Sequence, residues 1–555
     1  MAARRARKGR KRRWLKWAAA AVLLAFVLVG VAISVLLHRA EPILRAAIVE
    51  KLEEHFHARV ELDSFHVSLI NGLWAEGKGL RIWPPADVAD ANSAGEGKPL
   101  IRLDEFRFHA PLRYKLGEPI KISVVQLVGL NVDVPPKPRS GHADTESSGT
   151  VPETSHESML RFEVDSMECK GAHLTIETSK PGKLPLEFAI AHVKLSHVSL
   201  GGSMQFDAQL TNPRPAGTIV TSGSMGPWVV EDPGATPLDG NYRFEHGDLS
   251  VFKGIAGTLN STGTYQGILR NLDVNGETNT PDFRLTHFGT AMPLETTFHA
   301  TVDGTNGDTW LKPVRATLGQ SHFTAEGKVV GVPLVTSPNG TTQPGGHEIA
   351  LNVIVDGGRA EDFLRLVSKS GTPILTGELT LKTTLEIPPG AEPVQEKMKL
   401  NGSFLIEDAA FTSANIQNEV GELSMRGQGQ PKDAKDAGAE VRSAIESNLT
   451  MAGGVVTLPN LKYTVPGAEI DLKGTYGVDG GTLDFKGTAR TEATVSQMVG
   501  GWKGILLKPA DKLFRKDGAG TEVPIHIDGT EQDPRFGIDL GRIGHTSPQI
   551  PGQNQ

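Results

Sequence analysis

Most of the chain alternates apolar and polar residues with a period of two, which is the pattern of strands that bury one face. The alternation begins at Val60 and Leu62 and recurs in segments such as Ile120–Val134. Residue pairs typical of tight turns, such as Asn275-Gly276 and Asp303-Gly304, lie between the segments. The pattern therefore predicts a mainly β chain in which consecutive strands form an antiparallel meander.

The most regular alternation lies between residues 347 and 485. The candidate lining of an apolar groove consists of Ile349, Leu351, Val353, Val355, Leu379, Leu381 and Leu385. Apolar strand faces either pair as a sandwich or line an open groove that accepts acyl chains. A sandwich core usually contains large aromatic residues, and aromatic residues are only 6% of this chain. The residues alone leave both arrangements open.

Helical periodicity is confined to short stretches. Residues 41–57 predict an amphipathic helix whose apolar positions are Ile43, Leu44, Ile48, Leu52 and Phe56. This helix either caps a sheet or lies against a bilayer, and its charged face is not notably basic, which favours the cap. Two more short helices are predicted at about residues 360–369 and 495–514.

One uncharged run, residues 17–37, precedes all of these segments. A bilayer core about 30 Å thick needs about 20 apolar residues at about 1.5 Å each. The run therefore predicts a transmembrane helix, with anchoring residues Trp17, Leu24, Phe26, Val31 and Leu37.

Basic residues before the run are expected to keep the arm of residues 1–16 in the cytoplasm. These topology-setting residues are Arg10, Lys11, Arg12, Arg13 and Lys16. The alternative is a cleaved signal peptide, because Ala32-Ile33-Ser34 could form a small-residue cleavage site. In either case the bulk of the chain is expected outside the cytoplasm.

Composition limits the partners. The formal net charge is −7, and the first 37 residues contain no acidic residue, so the remainder is more acidic than the whole. An acidic body does not suit a phosphate backbone, and nucleic acid is not an expected partner. The single cysteine, Cys169, excludes a disulfide within the chain and is expected to be a semi-buried strand residue rather than a reactive thiol.

The motifs that suggest chemistry are incomplete. Residues 72–78 match part of a phosphate-binding loop, but Gly79 stands where Ser or Thr is required, and a strand follows instead of a helix. The pair His55 and His57 lacks a third metal ligand at suitable spacing. The sequence therefore predicts no catalytic residues, no metal and no cofactor, and a protein that is not an enzyme.

Composition changes along the chain predict its organisation. The predicted segments are the basic arm (1–16), the transmembrane helix (17–37), an N-terminal β region with the exit helix (38–134), a disordered linker (135–158), a middle β region (159–335), a loop (336–346), a C-terminal β region (347–541) and a disordered tail (542–555). A polar–Gly–polar string recurs near predicted strand ends, as in Asn401-Gly402-Ser403 and Lys486-Gly487-Thr488.

The layout resembles the AsmA-like family of Gram-negative envelope proteins. The resemblance is carried by the basic arm and single span, by the exit helix with the segments at 60–63 and 72–82, by the strand at 120–134, and by the C-terminal segments at 375–379, 404–411 and 523–530. It covers both ends of the chain, whereas the middle, about 160–335, is less similar.

The resemblance implies an inner-membrane protein with a single span and its bulk in the periplasm. It implies an elongated, curved, groove-like antiparallel sheet whose apolar face carries phospholipid tails, and a role in outer-membrane lipid homeostasis or biogenesis. The expected partners are phospholipid, the inner membrane and other envelope proteins. The alternative function is a non-enzymatic scaffold for the assembly of outer-membrane proteins, whose sheet edge pairs with its clients.

Overall fold

The computed structural model describes residues 41–54, 58–68, 73–83, 98–110, 120–134, 162–177, 185–198, 202–229, 232–252, 254–286, 290–332, 335–336, 342–343, 346–368, 371–390, 392–431, 441–499, 520–530 and 533–538. The predicted arm, membrane span, linker and C-terminal tail lie outside these residues, as do the anchoring and topology-setting side chains. Among the residues that are described, none of the helices is both long and apolar enough to cross a membrane.

Strands dominate the fold and helices are few, which confirms the mainly β prediction. The first strands are β1 (Val60–Ser68), β2 (Leu73–Ile82), β3 (Ile101–Ala110), β4 (Ile120–Val134), β5 (Phe162–Ile176), β6 (Leu186–Val198), β7 (Met204–Pro213), β8 (Ala216–Met225), β9 (Pro237–Asp248), β10 (Ile255–Ala256), β11 (Thr258–Ile268), β12 (Asn271–Leu285) and β13 (Met292–Val302).

The chain continues with a second series of strands. They are β14 (Thr309–Leu318), β15 (Ser321–Val332), β16 (Val335–Thr336), β17 (Thr342–Gln343), β18 (Gly346–Arg359), β19 (Leu375–Ile387), β20 (Lys399–Phe411), β21 (Ser443–Ala452), β22 (Val455–Val465), β23 (Ala468–Gly477), β24 (Thr482–Thr491), β25 (Thr521–Thr530) and β26 (Asp533–Ile538).

Helices occur at the N-terminal end of the described chain and between strands. They are α1 (41–54), α2 (Ala360–Val367), α3 (Val394–Lys397), α4 (Ala414–Gly427) and α5 (Val495–Val499). The prediction of a helix at about 360–369 is confirmed. The helix predicted at about 495–514 is present as far as Val499, and residues 500–519 lie outside the described part. Helix α4 was not predicted.

The described residues divide into two compact units. Unit 1 lies within Met1–Ser179, Pro185–Thr211 and Val220–Leu238, and unit 2 within Lys180–Leu184, Asn212–Ile219 and Asp239–Gln555. In unit 1 strands β1 to β7 pair in chain order. Its core is a cluster of buried residues: Ala58, Val60, Leu62, Phe65, Ala75, Leu80, Ile82, Leu103, Phe106, Ile122, Val125, Leu127, Cys169 and Ala172.

Strands β4 and β5 depart from the predicted meander. They pair in parallel, with Ile120 opposite Phe162 and Val134 opposite Ile176. Every other strand pair with a defined register is antiparallel. A parallel neighbour requires the chain to return to the starting end of the sheet, so a tight turn cannot join the two strands. Residues 135–161, which contain the predicted linker, make this connection.

Helix α1 covers the outer edge of β1. Glu41 and Glu53 accept hydrogen bonds from the backbone N–H groups of Val67 (3.1 Å) and Val60 (3.2 Å). The Nε of Arg45 donates to the carbonyl oxygen of Leu62 at 2.9 Å. These side chains occupy edge groups that would otherwise be open to another strand. The prediction that the exit helix caps a sheet is confirmed.

The packed stripe of α1 is narrower than predicted. Leu44, Ile48 and Leu52 pack against the unit 1 core, but Ile43 is 70% exposed. One residue along a helix corresponds to a rotation of about 100°, which moves Ile43 off a stripe centred on Leu44 and Ile48. Phe56 lies outside the described residues.

Unit 2 is built from antiparallel ladders. From β11 to β26, each long strand pairs with the long strand before it in the chain. The two-residue strands β16 and β17 pair with each other at the stretch predicted to be a loop at 336–346, with Val335 just before it. Seven ladders between β13 and β23 contain a register shift, and these bulges bend the strands locally.

Candidate ligand-binding face

One side of the unit 2 sheet carries apolar side chains from strand to strand, and we call it the apolar face. In β18 it contains Ile349, Leu351 and Val353, which lie opposite Ile387, Leu385 and Thr383 of β19. The same face continues through the register into the flanking strands: Val314 and Ala316 of β14, Phe323 and Val329 of β15, Leu400 and Phe404 of β20, Leu449 and Met451 of β21, Leu461 and Tyr463 of β22, Ile470 and Leu472 of β23, Leu483 and Phe485 of β24, and Ile525 and Ile527 of β25.

The apolar face carries no Asp, Glu, Lys or Arg at the paired positions of β11 to β25. Charged residues lie on the opposite side, which we call the polar face, and many of them pair there. Asp273 accepts a hydrogen bond from His299 at 2.7 Å, and Lys328 lies 2.8 Å from Glu348. The contact with His299, followed by that with Lys312, lowers the pKa of Asp273 below its usual value. Over this region the charged side chains of the strands are therefore confined to the polar face.

The predicted lining residues all lie on the apolar face, but in two environments. Ile349, Leu351, Val353 and Leu385 are half-buried. In contrast, Val355 is 0% exposed and Leu379 is 6% exposed, in a compact cluster against which Leu381 packs. The second group therefore forms a closed core, and the first group forms the accessible part of the predicted lining.

Helices account for this difference. Because the strands are antiparallel, the connections that contain α2, α4 and α5 all leave the sheet at one margin. Phe363 and Leu364 of α2 pack onto the cluster around Val355. Val420 and Leu423 of α4 pack with Val465 and its neighbours. The residues of the remaining apolar face are half-buried by their neighbours in the same sheet alone. If a second sheet covered this face, as in a sandwich, the residues at its centre would be fully buried.

A buried polar network fixes α2 at this margin. Asp362, which is 3% exposed, accepts hydrogen bonds from the Ser321 hydroxyl (2.8 Å) and from the backbone N–H of Gln320 (3.0 Å). The hydroxyl oxygen of Ser321 in turn accepts the backbone N–H of Arg359 at 2.8 Å. The turn before β15 is thus joined to the start of α2 by buried polar groups that form hydrogen bonds with one another instead of with water.

Glu361 anchors the neighbouring position. Burial disfavours its charged form, but hydrogen bonds from its own backbone N–H, from Arg359 and from the N–H of Gly377 outweigh burial and lower its pKa. The Nε of Arg359 lies 2.7 Å from the carboxylate. Both acidic residues also lie in the first turn of α2, where the helix dipole favours negative charge.

Four glycines of the recurrent polar–Gly–polar strings, Gly327, Gly402, Gly474 and Gly487, lie inside strands and on the apolar face, so the prediction that the strings mark strand ends is wrong for these four. It is confirmed for Asp303-Gly304-Thr305, which follows β13, and for Asp528-Gly529-Thr530, which ends β25. Gly402 lies between Thr383 and Leu449, and Gly487 lies between Leu472 and Ile525. A Cβ at Gly487 would be 1.8 Å from the carbonyl oxygen of Asp471, which no real side chain tolerates. The strings therefore mark places where adjacent backbones approach closely.

Several residues of the apolar face were not among the predicted lining residues. Phe404 and Ile406 of β20 contact the same cluster as Leu379 and Leu381. The alternation was obscured here because Leu405 and Ile406 are adjacent apolar residues and a register shift follows Ile406. The aromatic Phe404 at even spacing from Leu400 was the available signal.

Two concavities open mainly on the polar face of unit 2, away from the predicted lining. The first has a volume of about 910 Å³ and is lined by residues of β11 to β18, including Glu277, Glu295 and Arg315. The second has a volume of about 770 Å³ and is lined by residues of β19 to β24, including Lys473 and Lys486. Sequence reasoning identified neither, because both depend on how bulged strands lie side by side.

Residues that the sequence analysis considered for reactivity or phosphate binding lie in the core or in ion pairs. Cys169 is 2% exposed in the unit 1 core, where burial raises the pKa of its thiol and disfavours the reactive thiolate. Lys78, from the incomplete phosphate-loop motif, lies in strand β2 at 2.9 Å from Glu76. Within the described ranges no group of His, Cys, Asp or Glu side chains could hold a metal ion.

Comparisons of the chain with protein-family models, with curated proteins and with solved structures gave no match. The resemblance to the AsmA-like family therefore rests on the sequence segments that carry it.

Proposed function

We propose that this chain is a membrane-anchored periplasmic protein that binds or conducts phospholipid along the apolar face of unit 2, and that it serves outer-membrane lipid homeostasis or biogenesis. In this proposal residues 17–37 hold the chain in the inner membrane, and the apolar face lines a groove in an elongated, curved sheet. No catalytic step, metal or cofactor takes part, and other envelope proteins are its protein partners.

The observation that carries the proposal is the absence of Asp, Glu, Lys and Arg from the apolar face over β11 to β25. A continuous apolar surface that stays partly accessible is uncommon in soluble monomers and marks a binding surface. A charge there would lose hydration against a bound acyl chain, so its exclusion suits a hydrocarbon ligand. The charged pairs on the polar face show that the chain does not lack charge in these strands.

The dimensions also suit acyl chains. From β15 to β25 the face extends about 38 Å across the strands at about 4.8 Å per strand. An acyl chain that fills one leaflet covers about 15 Å, half of a core about 30 Å thick. The half-buried part of the face can therefore accommodate a lipid tail laid across the strands, with about 0.8 kcal/mol gained for each methylene group removed from water.

The test introduces charge on either side of one strand. Leu351→Asp combined with Val353→Asp places carboxylates on the apolar face, whereas Ile354→Asp makes a comparable change on the polar face, where Ile354 is already 45% exposed. The full chain is purified in mild detergent, and bound phospholipid is measured by native mass spectrometry. We expect lipid to be lost from the double variant and retained in the Ile354→Asp control.

Two results would count against the proposal. Equal phospholipid loading of the double variant and the control would show that lipid does not occupy this face. Crosslinks from the sheet edge to an outer-membrane protein, in a preparation without bound lipid, would favour the scaffold alternative.

A further inference from the structure

The concavity of about 770 Å³ on the polar face is crossed by a row of hydrogen-bond donors. Lys473 of β23 lies directly opposite Lys486 of β24. On its other side Lys473 faces the register shift between Leu458 and Leu461 of β22, which contains Asn460. Neighbouring strands are about 4.8 Å apart, so the backbone positions of Asn460, Lys473 and Lys486 lie within about 10 Å of each other across the three strands.

The positive charge of this row is only partly neutralised locally. Like charges directly opposite each other in a sheet destabilise the pairing. Lys473 has no carboxylate within ion-pair distance among the described residues, and the closest to Lys486 is Asp484 at 3.9 Å. The lining contains two acidic residues: Asp471, which lies 2.6 Å from Arg490, and Glu446, which lies opposite Lys462 in the ladder of β21 with β22.

Asn460 adds a neutral donor. Its Oδ1 accepts the backbone N–H of Asn448 at 2.9 Å, which fixes the orientation of the amide. The NH₂ group of Asn460 is left exposed and without a partner in the described part of the chain. The bulge that carries Asn460 thus presents two N–H donors beside two ammonium groups.

We propose that this concavity binds a phosphorylated ligand, with phosphate oxygens bridging Lys473 and Lys486 and accepting a hydrogen bond from Asn460. Charge-assisted hydrogen bonds from ammonium groups to phosphate are short and strong, and a bound dianion removes the repulsion between the two lysines. The lining offers no aromatic ring on the polar face for a base to stack on, which disfavours a nucleic acid strand. The site is separate from the apolar face because the sheet itself lies between them.

Phosphate could come from a free phosphorylated solute or from a lipid headgroup, and two probes distinguish these sources. Inorganic pyrophosphate represents the first source, and a short-chain phosphatidic acid below its micelle concentration represents the second. Binding of each to the full chain in neutral detergent is measured by calorimetry at low ionic strength, because salt screens exposed charges.

Charge-neutral variants locate the site. Lys473→Gln with Lys486→Gln should weaken binding of the probe by about tenfold or more. The matched control, Lys312→Gln with Lys328→Gln, removes the same charge from the polar face elsewhere in unit 2 and should leave binding within about twofold, as expected for remote screened charges. The single variant Lys486→Glu replaces the repulsive pair by an attractive one, so it keeps the sheet folded and should also abolish binding.

Each binding result either supports or overturns the phosphate site. Binding of pyrophosphate that depends on the two lysines supports the site and assigns a free phosphorylated ligand. Binding of phosphatidic acid that depends on the two lysines, without binding of pyrophosphate, supports the site and assigns a lipid headgroup. If neither probe binds, or if the lysine variants and the control lose equal affinity, the proposal is overturned.

Discussion

Removal of the Asp362 carboxylate should release helix α2 from the margin of the apolar face. In Asp362→Ala the Ser321 hydroxyl and the Gln320 N–H both lose their acceptor in a buried site. Each buried donor left unsatisfied costs about 1–3 kcal/mol. The favourable interaction of the carboxylate with the start of α2 adds about 0.3–1 kcal/mol. We therefore expect a loss of about 3 kcal/mol in the free energy that holds α2 in place.

Hydrogen exchange measures this loss directly. At about 1.4 kcal/mol per tenfold, a loss of about 3 kcal/mol raises the exchange of α2 amides about 100-fold. Opening of α2 also uncovers Val355 and Leu379, so binding of a hydrophobic fluorescent dye should increase. The control is Asp356→Ala, an exposed residue on the polar face of β18, for which the expected change is within about 0.5 kcal/mol.

If α2 exchanges no faster in Asp362→Ala than in Asp356→Ala, the Asp362 carboxylate does not hold this helix in place. A uniform increase in exchange over the whole of unit 2 would also contradict the prediction, because the network joins α2 only to the turn before β15.

Three more predictions follow from particular contacts. Gly487→Ala places a Cβ 1.8 Å from the carbonyl oxygen of Asp471 and should destabilise β23 and β24 by about 2–4 kcal/mol in urea unfolding, whereas Gly480→Ala, with its nearest neighbour at 3.5 Å, should be neutral. The pKa of Glu361 is lowered in the folded chain, so the stabilisation from its carboxylate is present above the unfolded pKa of 4.5 and is lost as pH falls through the folded pKa. The difference in melting temperature between the native chain and Glu361→Gln should therefore shrink from pH 7 to pH 3. Glu41→Ala should increase amide exchange at the outer edge of β1, and no change would show that α1 does not protect this edge.

The faces of the strands could be predicted because side-chain direction alternates strictly. Ile349, Leu351 and Val353 share a face in any regular strand, and the register then brings them beside Leu385 and its neighbours. The assignment of residues to one face of a strand requires no knowledge of the rest of the fold. The half-burial of some of these residues and the closure of Val355 depend on α2, whose packing could not be read from alternation.

Local signals failed where tertiary contacts override them. Asn275-Gly276 is typical of a turn, yet both residues lie within β12. A Cβ at Gly276 would approach the Tyr242 hydroxyl and the Phe298 ring, so glycine is required there for space. Helix α4 was missed because Gly421 and Gly427 interrupt a helical pattern whose apolar stripe is short.

Strand boundaries were obscured by shifts of the apolar frame. Within residues 186–198 the apolar frame shifts after Ile190, a pattern typical of separate short strands, but these residues form the single strand β6, with a register shift between Ile190 and His192. A bulge moves the alternation by one position without ending the strand. The parallel pairing of β4 with β5 had no sequence signal, because it depends on a connection that carries almost no apolar residues.

The order of pairing in unit 2 has a consequence for folding. Because each long strand from β11 onward pairs with the one before it, most contacts have a small sequence separation, and a low contact order favours rapid folding. Strands can be added one at a time as the chain becomes available, each requiring only the edge already formed. In unit 1 the parallel pair β4 and β5 requires closure of the long connection at 135–161, so we expect its formation to be the slowest step in assembling that unit.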